Sequence, residues 1–160
     1  MRVCLQRVSR ASVTVESAIV DAIGAGYVLL VGISPEDGHE EIDLLAGKIA
    51  NLRILDDADG MMNRSALEYI ADDPTSFSML VVSQFTLYAD TRKGRRPSWA
   101  HAAPPQVAEP MVALFVDALH SFGFQVGTGV FGAEMAVELV NDGPVTIWLD
   151  SDDLQAPRRG

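Results

Sequence analysis

The stretch FSMLVVSQFTLY, residues 77–88, carries the strongest strand signal in the chain. Its first half is apolar enough to lie in the core, and Ser83, Gln84 and Thr86 follow at the end of that apolar run. Two interpretations of these polar side chains remain open. They face water from an edge strand, or they form a hydrogen-bonding floor for a small polar ligand, beside backbone N–H groups that could bind an oxyanion.

Shorter strands and one helix precede this stretch. Val13 and Val15 begin a strand whose hairpin partner is the segment 19–23, and the apolar run 27–33 predicts a strand buried on both faces. The segment 34–37 (SPED) predicts a helix start, because Ser is a good cap, Pro suits the first turn and acids favour the helix N-terminus. The apolar positions of this amphipathic helix are Ile42, Leu45, Ala46, Ile49 and Leu52.

The part of the chain after residue 88 predicts a loop, a second helix and two strands. A loop of about fifteen residues leads to an amphipathic helix that has Pro110 near its first turns. Residues 134–149 predict two strands, with Asn141-Asp142-Gly143-Pro144 as the tight turn between them. The proline is unexpected there, because it removes a donor where the returning strand should begin to pair.

The order and length of these elements define the fold class. Many strands with two separated helices predict an α+β fold rather than alternating βαβ units. A length of 160 residues predicts one domain over residues 1–160, of which about 151–160 form a frayed tail. Apolar residues make up 48% and charged residues 21%, which excludes a disordered tail, a collagenous repeat and a disulfide scaffold.

The charge balance narrows the choice of partners. The chain has 22 Asp and Glu against 12 Lys and Arg, a formal net charge of -10. This argues against a sequence-independent DNA coat, because such binding is driven by neutralising phosphates. The N-terminus lacks the apolar region of a signal peptide, and no window approaches the roughly 18 apolar residues of a membrane span. We therefore expect a soluble, cytoplasmic protein without a membrane partner.

Motifs for cofactors and metals are weak. Residues 127–132 (GTGVFG) match G-x-G-x-x-G, but the pattern that follows is that of a strand, so no nucleotide cofactor is expected. The three histidines are far apart, and Cys4 is the single cysteine, so we expect neither a metal site nor an internal disulfide. The acidic turn 56–60 predicts a solvated loop, with weak cation binding as the alternative.

Several motifs in the right order resemble those of the D-aminoacyl-tRNA deacylases, a family of editing enzymes. Residues 83–88 are similar to its S-Q-F-T-L-Y signature, and 89–98 to the loop that follows. Residues 129–135 resemble its G-x-F-G-A-x-M stretch, and 141–146 its N-x-G-P-V-T motif. The N-terminal segment 6–15 resembles its first strand pair. The resemblance covers nearly the whole chain.

The departures from the family pattern are small. Val130 stands where Met is common, and Trp99-Ala100-His101 occupies the variable part of the loop. These differences concern the rim of the site rather than the reaction.

The resemblance implies a compact, β-barrel-like, antiparallel-rich α+β fold with two main helices. It also implies a homodimer with the active site at the interface. The reaction would be hydrolysis of the ester that joins a D-amino acid to the 3′ end of tRNA. Glycine mischarged on tRNA would also be a substrate, since it has no side chain to reject. No cofactor, metal or DNA partner is expected.

The resemblance also assigns roles to residues of this chain. The Gly143-Pro144 peptide would be cis and would reach into the partner subunit's site as a chiral filter, supported by Arg7 and Asn141. Thr86 is the candidate catalytic residue. The residues expected to bind substrate are Ser83, Gln84, Phe85, Phe131, Ala133 and Met135. The residues expected to contact tRNA are Arg92, Lys93, Arg95 and Arg96.

Two mechanisms remain open for the reaction. In one, Thr86 is the nucleophile or positions the water, with nearby N–H groups as oxyanion donors. In the other, the 2′-OH of the terminal ribose assists and the protein supplies alignment. The absence of a His or carboxylate from the motif favours RNA-assisted hydrolysis.

Two other functions remain as alternatives. A non-catalytic, nucleic-acid-associated homodimer on the same scaffold would tolerate changes at Gly143-Pro144 and show no turnover. A metal-dependent or triad hydrolase of unrelated substrates is a weaker alternative, because the chain has neither H-E-x-x-H nor G-x-S-x-G.

Overall fold

The computed structural model of the protein describes residues 1–157, which fold into eight strands, four α-helices and one short 3₁₀ helix. The strands are β1 (Arg2–Val15), β2 (Ala18–Ile23), β3 (Gly26–Gly32), β4 (Arg53–Asp56), β5 (Met62–Ser65), β6 (Ser78–Ser83), β7 (Gln125–Thr128) and β8 (Ala136–Asp150). The α-helices are α1 (His39–Asn51), α2 (Ala66–Asp72), α3 (Pro105–Ser121) and α4 (Ser151–Gln155). The 3₁₀ helix spans Phe85–Tyr88.

The main sheet is built around β1. The order of its strands is β2-β1-β3-β6-β7, and β8 pairs with β1 as well. The ladders of β1 with β2, β3 and β8 are antiparallel, whereas β6 is parallel to both β3 and β7. The predicted α+β class with a barrel-like, antiparallel-rich sheet is therefore confirmed. The sequence patterns did not predict that β6 would pair in parallel with β3 and with β7.

The sheet curls until a side chain of β2 reaches β7. Oδ2 of Asp21 accepts a hydrogen bond of 3.0 Å from the backbone N–H of Thr128. A Cβ at Gly127 would lie 2.8 Å from the Asp21 carboxylate, so this close approach requires glycine. Inside the curl lies a small apolar cluster, whose buried members are Val8, Ala11, Val13, Val28, Leu80 and Val82.

The larger core lies between the outer face of the sheet and the helices α1 and α3. Leu5, Tyr27 and Met79 of the sheet are buried with Phe115 and Leu119 of α3. Four of the five apolar positions predicted for the first helix are also fully buried there: Ile42, Leu45, Ala46 and Ile49.

The first helix begins later than predicted. Its cap is Gly38, whose N–H donates to Oε2 of Glu41 at 2.8 Å, and its first residue is His39. The predicted start at Ser34 is wrong because Asp37 is engaged in a turn. Its carboxylate accepts from the Ser34 N–H at 2.6 Å and from the α-ammonium group of Met1.

Two predicted strands have different bounds. β1 begins at Arg2 rather than at Val13, and it runs through the length of the sheet. The predicted strand 77–88 ends at Ser83. There the Gln84 N–H makes a last hydrogen bond of 2.7 Å to the Val31 carbonyl, and the chain turns into the 3₁₀ helix.

The predicted turn at residues 141–144 is wrong. β8 is one continuous strand, and both of its halves pair with β1: Asn141 with Val8, and Thr146 with Gln6. The four residues 142–145 therefore stand opposite the single residue Arg7 and leave the ladder. We call residues 142–145 the bulge. Its Gly143-Pro144 peptide bond is cis.

The predicted frayed tail is wrong for residues 151–155, which form α4 directly after β8. Asp150 caps this helix by accepting from the Asp152 N–H at 3.1 Å. Ser151 is fully buried and donates its N–H to the Met1 carbonyl at 2.9 Å. Residues 158–160 of the predicted tail lie outside the described residues. Between residues 1 and 157, no helix combines the length and apolar character needed to cross a membrane.

The acidic turn 56–60 connects β4 to β5, a hairpin that the sequence patterns missed. Oδ1 of Asp57 accepts from the N–H groups of Asp59 and Met61, each at 3.0 Å, so this carboxylate holds the turn. Within residues 1–157, no group of three or more His, Cys, Asp and Glu side chains is arranged to bind a metal ion.

The close packing of β3 on β6 leads to a stability prediction. A Cβ at Gly26 would overlap the Ser78 carbonyl oxygen and lie 2.8 Å from its carbonyl carbon, whereas a Cβ at Gly24 would meet nothing within 4 Å. We expect Gly26→Ala to lower the free energy of unfolding by about 1–3 kcal/mol, since backbone must move to admit the methyl group. Chemical denaturation measures the effect, with Gly24→Ala as the matched control. Equal stability of the two variants would contradict this packing.

Candidate active site

A cavity of about 430 Å³ opens where β3 and β6 end. It is lined by Ser83, Gln84 and Phe85 after β6, by Trp99 in the following loop, and by Phe131 after β7. Carboxyl ends of neighbouring parallel strands commonly form such a crevice. The fold thus brings four of the predicted substrate-binding residues to one cavity: Ser83, Gln84, Phe85 and Phe131.

The polar lining of the cavity includes Ser83, the last residue of β6, and Gln84, whereas the predicted catalytic residue Thr86 lies behind Gln84 and is not among the lining residues. The side-chain amide of Gln84 donates a hydrogen bond to the hydroxyl oxygen of Thr86. In the described part of the chain, this is the only hydrogen bond of the Thr86 side chain, so no imidazole or carboxylate is placed to remove its proton. Without such a base the Thr86 hydroxyl is a weak nucleophile.

The apolar wall of the cavity is aromatic. The rings of Phe85 and Trp99 meet edge to face, with their centroids 5.1 Å apart. Both rings are also accessible, with Phe85 55% and Trp99 41% exposed. Sequence reasoning assigned Trp99 to the variable part of a loop and missed this role. An aromatic residue in a polar, Arg-rich loop was the available signal.

Ala133 and Met135 lie apart from this cavity in the single chain. They line a separate groove together with the β1–β2 turn. Met135 also packs beside the cluster inside the curled sheet. The structure therefore places these two predicted substrate-binding residues at a second location.

The bulge is exposed but held at both ends. Nε of Arg7 donates to the Asp142 carbonyl at 3.0 Å, and Nδ2 of Asn141 donates to the Val145 carbonyl at 3.0 Å. Arg7 is only 8% exposed, although it carries a positive charge. Gly143 has a φ of 126°, a conformation that favours glycine. Gly143 and Pro144 are not among the residues that line the cavity of their own chain.

The four basic residues predicted to contact tRNA lie on one loop. Its ends are joined by two hydrogen bonds of 2.9 Å between Asp90 and Ser98. Arg92 folds back onto Asp90, with 2.8 Å and 2.6 Å hydrogen bonds, and holds the pKa of that carboxyl well below its usual range. The loop adjoins the aromatic wall, because Trp99 directly follows Ser98. Lys93, Arg95 and Arg96 are exposed.

Comparisons with known proteins identify the family of this chain. A family model described as D-Tyr-tRNA(Tyr) deacylase matches residues 4–150. A D-aminoacyl-tRNA deacylase of Thermomicrobium roseum is 57% identical over 155 residues, which cover 97% of each chain. A D-aminoacyl-tRNA deacylase of Kocuria rhizophila is 53% identical over 161 residues, which cover 100% of each chain.

Two solved structures have the same fold. One, described as c-Myc DNA Unwinding Element Binding Protein, has a TM-score of 0.85 and 38% sequence identity, and the match covers 94% of this chain and 98% of the other. A probable eukaryotic D-amino acid tRNA deacylase has a TM-score of 0.77 and covers 92% of this chain and 97% of the other. Its 17% identity shows the fold alone.

The fold, the cavity and these relatives define the class of protein: a hydrolase that acts on the ester bond of aminoacyl-tRNA. The chain belongs to the D-Tyr-tRNA(Tyr) deacylase family, and its activity is that of a D-aminoacyl-tRNA deacylase.

The aromatic wall leads to a kinetic prediction. We expect Trp99→Ala to raise the KM for D-Tyr-tRNA about three- to tenfold with little change in kcat, since an aromatic contact of this kind contributes roughly 0.5–1.5 kcal/mol. Steady-state deacylation measures both constants. Phe122→Ala is the matched control, because Phe122 is 37% exposed and lies outside the cavity. An unchanged KM in Trp99→Ala, or an equal rise in the control, would contradict the role of this ring.

Proposed function

We propose that the protein edits aminoacyl-tRNA in the cytoplasm as a homodimer. It hydrolyses D-aminoacyl esters and glycine mischarged on tRNA, and it rejects L-aminoacyl esters by means of the bulge, inserted from one subunit into the cavity of the other. The observation that carries this proposal is the bulge itself. It is exposed, fixed at both ends by Arg7 and Asn141, and separate from the cavity of its own chain.

Steric exclusion of the L-aminoacyl ester by a rigid backbone gives stronger discrimination than preferential binding of the D-amino acid side chain. Attraction in a pocket gives a preference of only about 10–200-fold, or 1–3 kcal/mol. Protection of the abundant L-aminoacyl-tRNA needs at least roughly 10³–10⁴-fold, or about 4–6 kcal/mol. A clash with backbone atoms can supply this difference, because hydrogen-bonded backbone yields less than a side chain. Glycine passes such a filter since it has no side chain to strike the wall.

The edge of the sheet favours a second copy as the partner. Among the described residues, β8 pairs only with β1, so its other edge is open over a strand of 15 residues. Val140 and Trp148 of this strand are exposed apolar residues. Open strand edges and exposed apolar side chains are features that proteins generally cover, and a two-fold interface would cover both copies at once.

The cavity favours RNA-assisted hydrolysis. Thr86 is hydrogen-bonded to an amide and not to a base, so the protein does little to activate it as a nucleophile. The terminal ribose carries a 2′-OH next to the ester, and an ester on a vicinal diol is already labile. Holding that ribose so that its hydroxyl assists the attacking water is then the main contribution of the protein.

The basic loop is the proposed contact with the acceptor end of tRNA. Lys93, Arg95 and Arg96 are exposed beside the aromatic wall of the cavity, whereas Arg92 is neutralised by Asp90. These charges would contact a few phosphates near the 3′ end. The net charge of -10 disfavours a larger footprint on the RNA backbone.

The mechanism is tested with one variant and one modified substrate. We expect the Thr86→Ala protein to keep substantial activity. The wild-type protein should not hydrolyse a D-aminoacyl ester on a tRNA that ends in 2′-deoxyadenosine, since the assisting hydroxyl belongs to the substrate. Single-turnover deacylation of D-Tyr-tRNA measures both, with circular dichroism to verify folding. A folded Thr86→Ala protein without activity would instead make Thr86 the catalytic group.

The central test compares D-Tyr-tRNA and L-Tyr-tRNA as substrates of the purified, metal-stripped protein. We expect rapid loss of the D ester while the L ester stays intact, because only the L side chain meets the bulge. Gly143→Ala should weaken this function, because its Cβ would lie 2.8 Å from Cγ2 of Val145 and 3.0 Å from an Arg7 nitrogen. Gly60→Ala is the control, since Gly60 also has a positive φ but meets no atom within 4 Å.

A second candidate function is non-catalytic association with nucleic acid. It is favoured by the structural likeness to a protein described as c-Myc DNA Unwinding Element Binding Protein. In that case, neither ester would be cleaved by a folded dimer, and changes at Gly143-Pro144 would be tolerated. The same D/L assay therefore distinguishes the two candidates.

A further inference from the structure

The guanidinium group of Arg7 joins two separate parts of the molecule. On one side, Nε donates to the Asp142 carbonyl at the start of the bulge, at 3.0 Å. On the other side, Nη1 donates to the Ile54 carbonyl at 2.8 Å and to Oδ1 of Asp56 at 3.2 Å. The bulge is thus connected through one buried cation to the β4–β5 hairpin.

Asp56 is the charged member of this contact. Its side chain is about half exposed, at 50%, while that of Arg7 is 10% exposed. The backbone of Asp56 is also fixed, since its carbonyl accepts a hydrogen bond of 2.8 Å from the Tyr69 hydroxyl of α2. The carboxylate therefore approaches Arg7 from a position set by the hairpin and α2 together.

A second carboxylate competes for the same cation. Oδ2 of Asp142, within the bulge, lies 3.7 Å from Nε of Arg7. The guanidinium is therefore attracted from both sides, by Asp56 on the hairpin and by Asp142 on the bulge. Removal of the Asp56 charge would leave the neutral Ile54 carbonyl to oppose the pull of Asp142, so the cation would shift toward Asp142 and the bulge would move with it.

We propose that Asp56 is a positioning residue for chiral selectivity, acting through Arg7 on the bulge. This inference rests on the proposed function, because it assumes that the bulge is the chiral filter. Asp56 is not among the residues that line the cavity. The Asp56 carboxylate holds the Arg7 guanidinium in place, and the guanidinium holds the Asp142 carbonyl. The position of that carbonyl in turn sets the position of the bulge.

The experiment compares Asp56→Asn with Asp59→Asn. Both variants remove one negative charge from the same hairpin, but the Asp59 side chain makes no hydrogen bond or ion pair with another described residue. For each we would measure kcat/KM with D-Tyr-tRNA and with L-Tyr-tRNA. We expect the D/L ratio to fall about three- to fivefold in Asp56→Asn, a size typical of a half-exposed ion pair, and to stay at the wild-type value in Asp59→Asn.

A conservative variant and a double-mutant cycle separate positioning from stability. Asp56→Glu keeps the charge and should recover most of the D/L ratio. In an Arg7→Lys background, Asp56→Asn should have little further effect, because the fork of donors through which it acts is gone. A merely structural role would lower the melting temperature and leave the ratio unchanged.

The outcomes are distinct. An unchanged D/L ratio in Asp56→Asn, in a wild type that discriminates, would overturn the positioning role, and so would additive effects in the cycle. A wild-type protein that cleaves neither ester would instead overturn the proposed function. In that case, the free energies of unfolding of the same four proteins would still show whether Asp56 and Arg7 are energetically coupled.

Discussion

The pairing of β1 with β8 is the constraint on which the functional geometry depends. The two strands run together from Arg2 opposite Asp150 to Thr14 opposite Ala136. β1 is also bound on its other side by β2 and β3, so it cannot slip by one residue without turning its apolar face to solvent. With the register held at both ends, the extra residues of β8 opposite Arg7 must leave the ladder. The bulge is the direct result.

The cavity has a different origin, in the parallel ladder of β3 with β6. The chain leaves β6 at Ser83 and turns at once into a 3₁₀ helix. The Ser83 hydroxyl and the Gln84 amide therefore lie at the strand end, in the same cavity as the rings of Phe85 and Trp99. Cavity and bulge share no lining residue within one chain. The proposed homodimer would account for this separation, because an isologous interface that brought one bulge to the partner's cavity would do so twice.

Local sequence patterns predicted those features of the fold that depend on interactions between residues close in sequence. The 3.6-residue spacing of Ile42, Leu45 and Ile49 predicted the buried face of α1 correctly, although not the start of the helix, because one face of that helix meets the core. The tetrapeptide 141–144 was misread as a hairpin turn, since Gly and Pro favour a turn and a bulge alike, and only the pairing of both flanks with β1 distinguishes the two. Arg7 and Asp56, 49 residues apart in sequence, could not be linked by any local pattern.

Charge determines how an acidic protein can act on RNA. The net charge of -10 disfavours contact with a long phosphate backbone, and Arg92 is bound to a carboxylate of its own loop. Lys93, Arg95 and Arg96 are exposed on the same loop, which precedes Trp99 of the cavity, so in the proposed function favourable contact is limited to the end of the RNA near that cavity. In the proposed mechanism, selection comes from the shape of the aminoacyl site, where a clash with fixed backbone would distinguish two esters that differ only in configuration at the α-carbon of the amino acid.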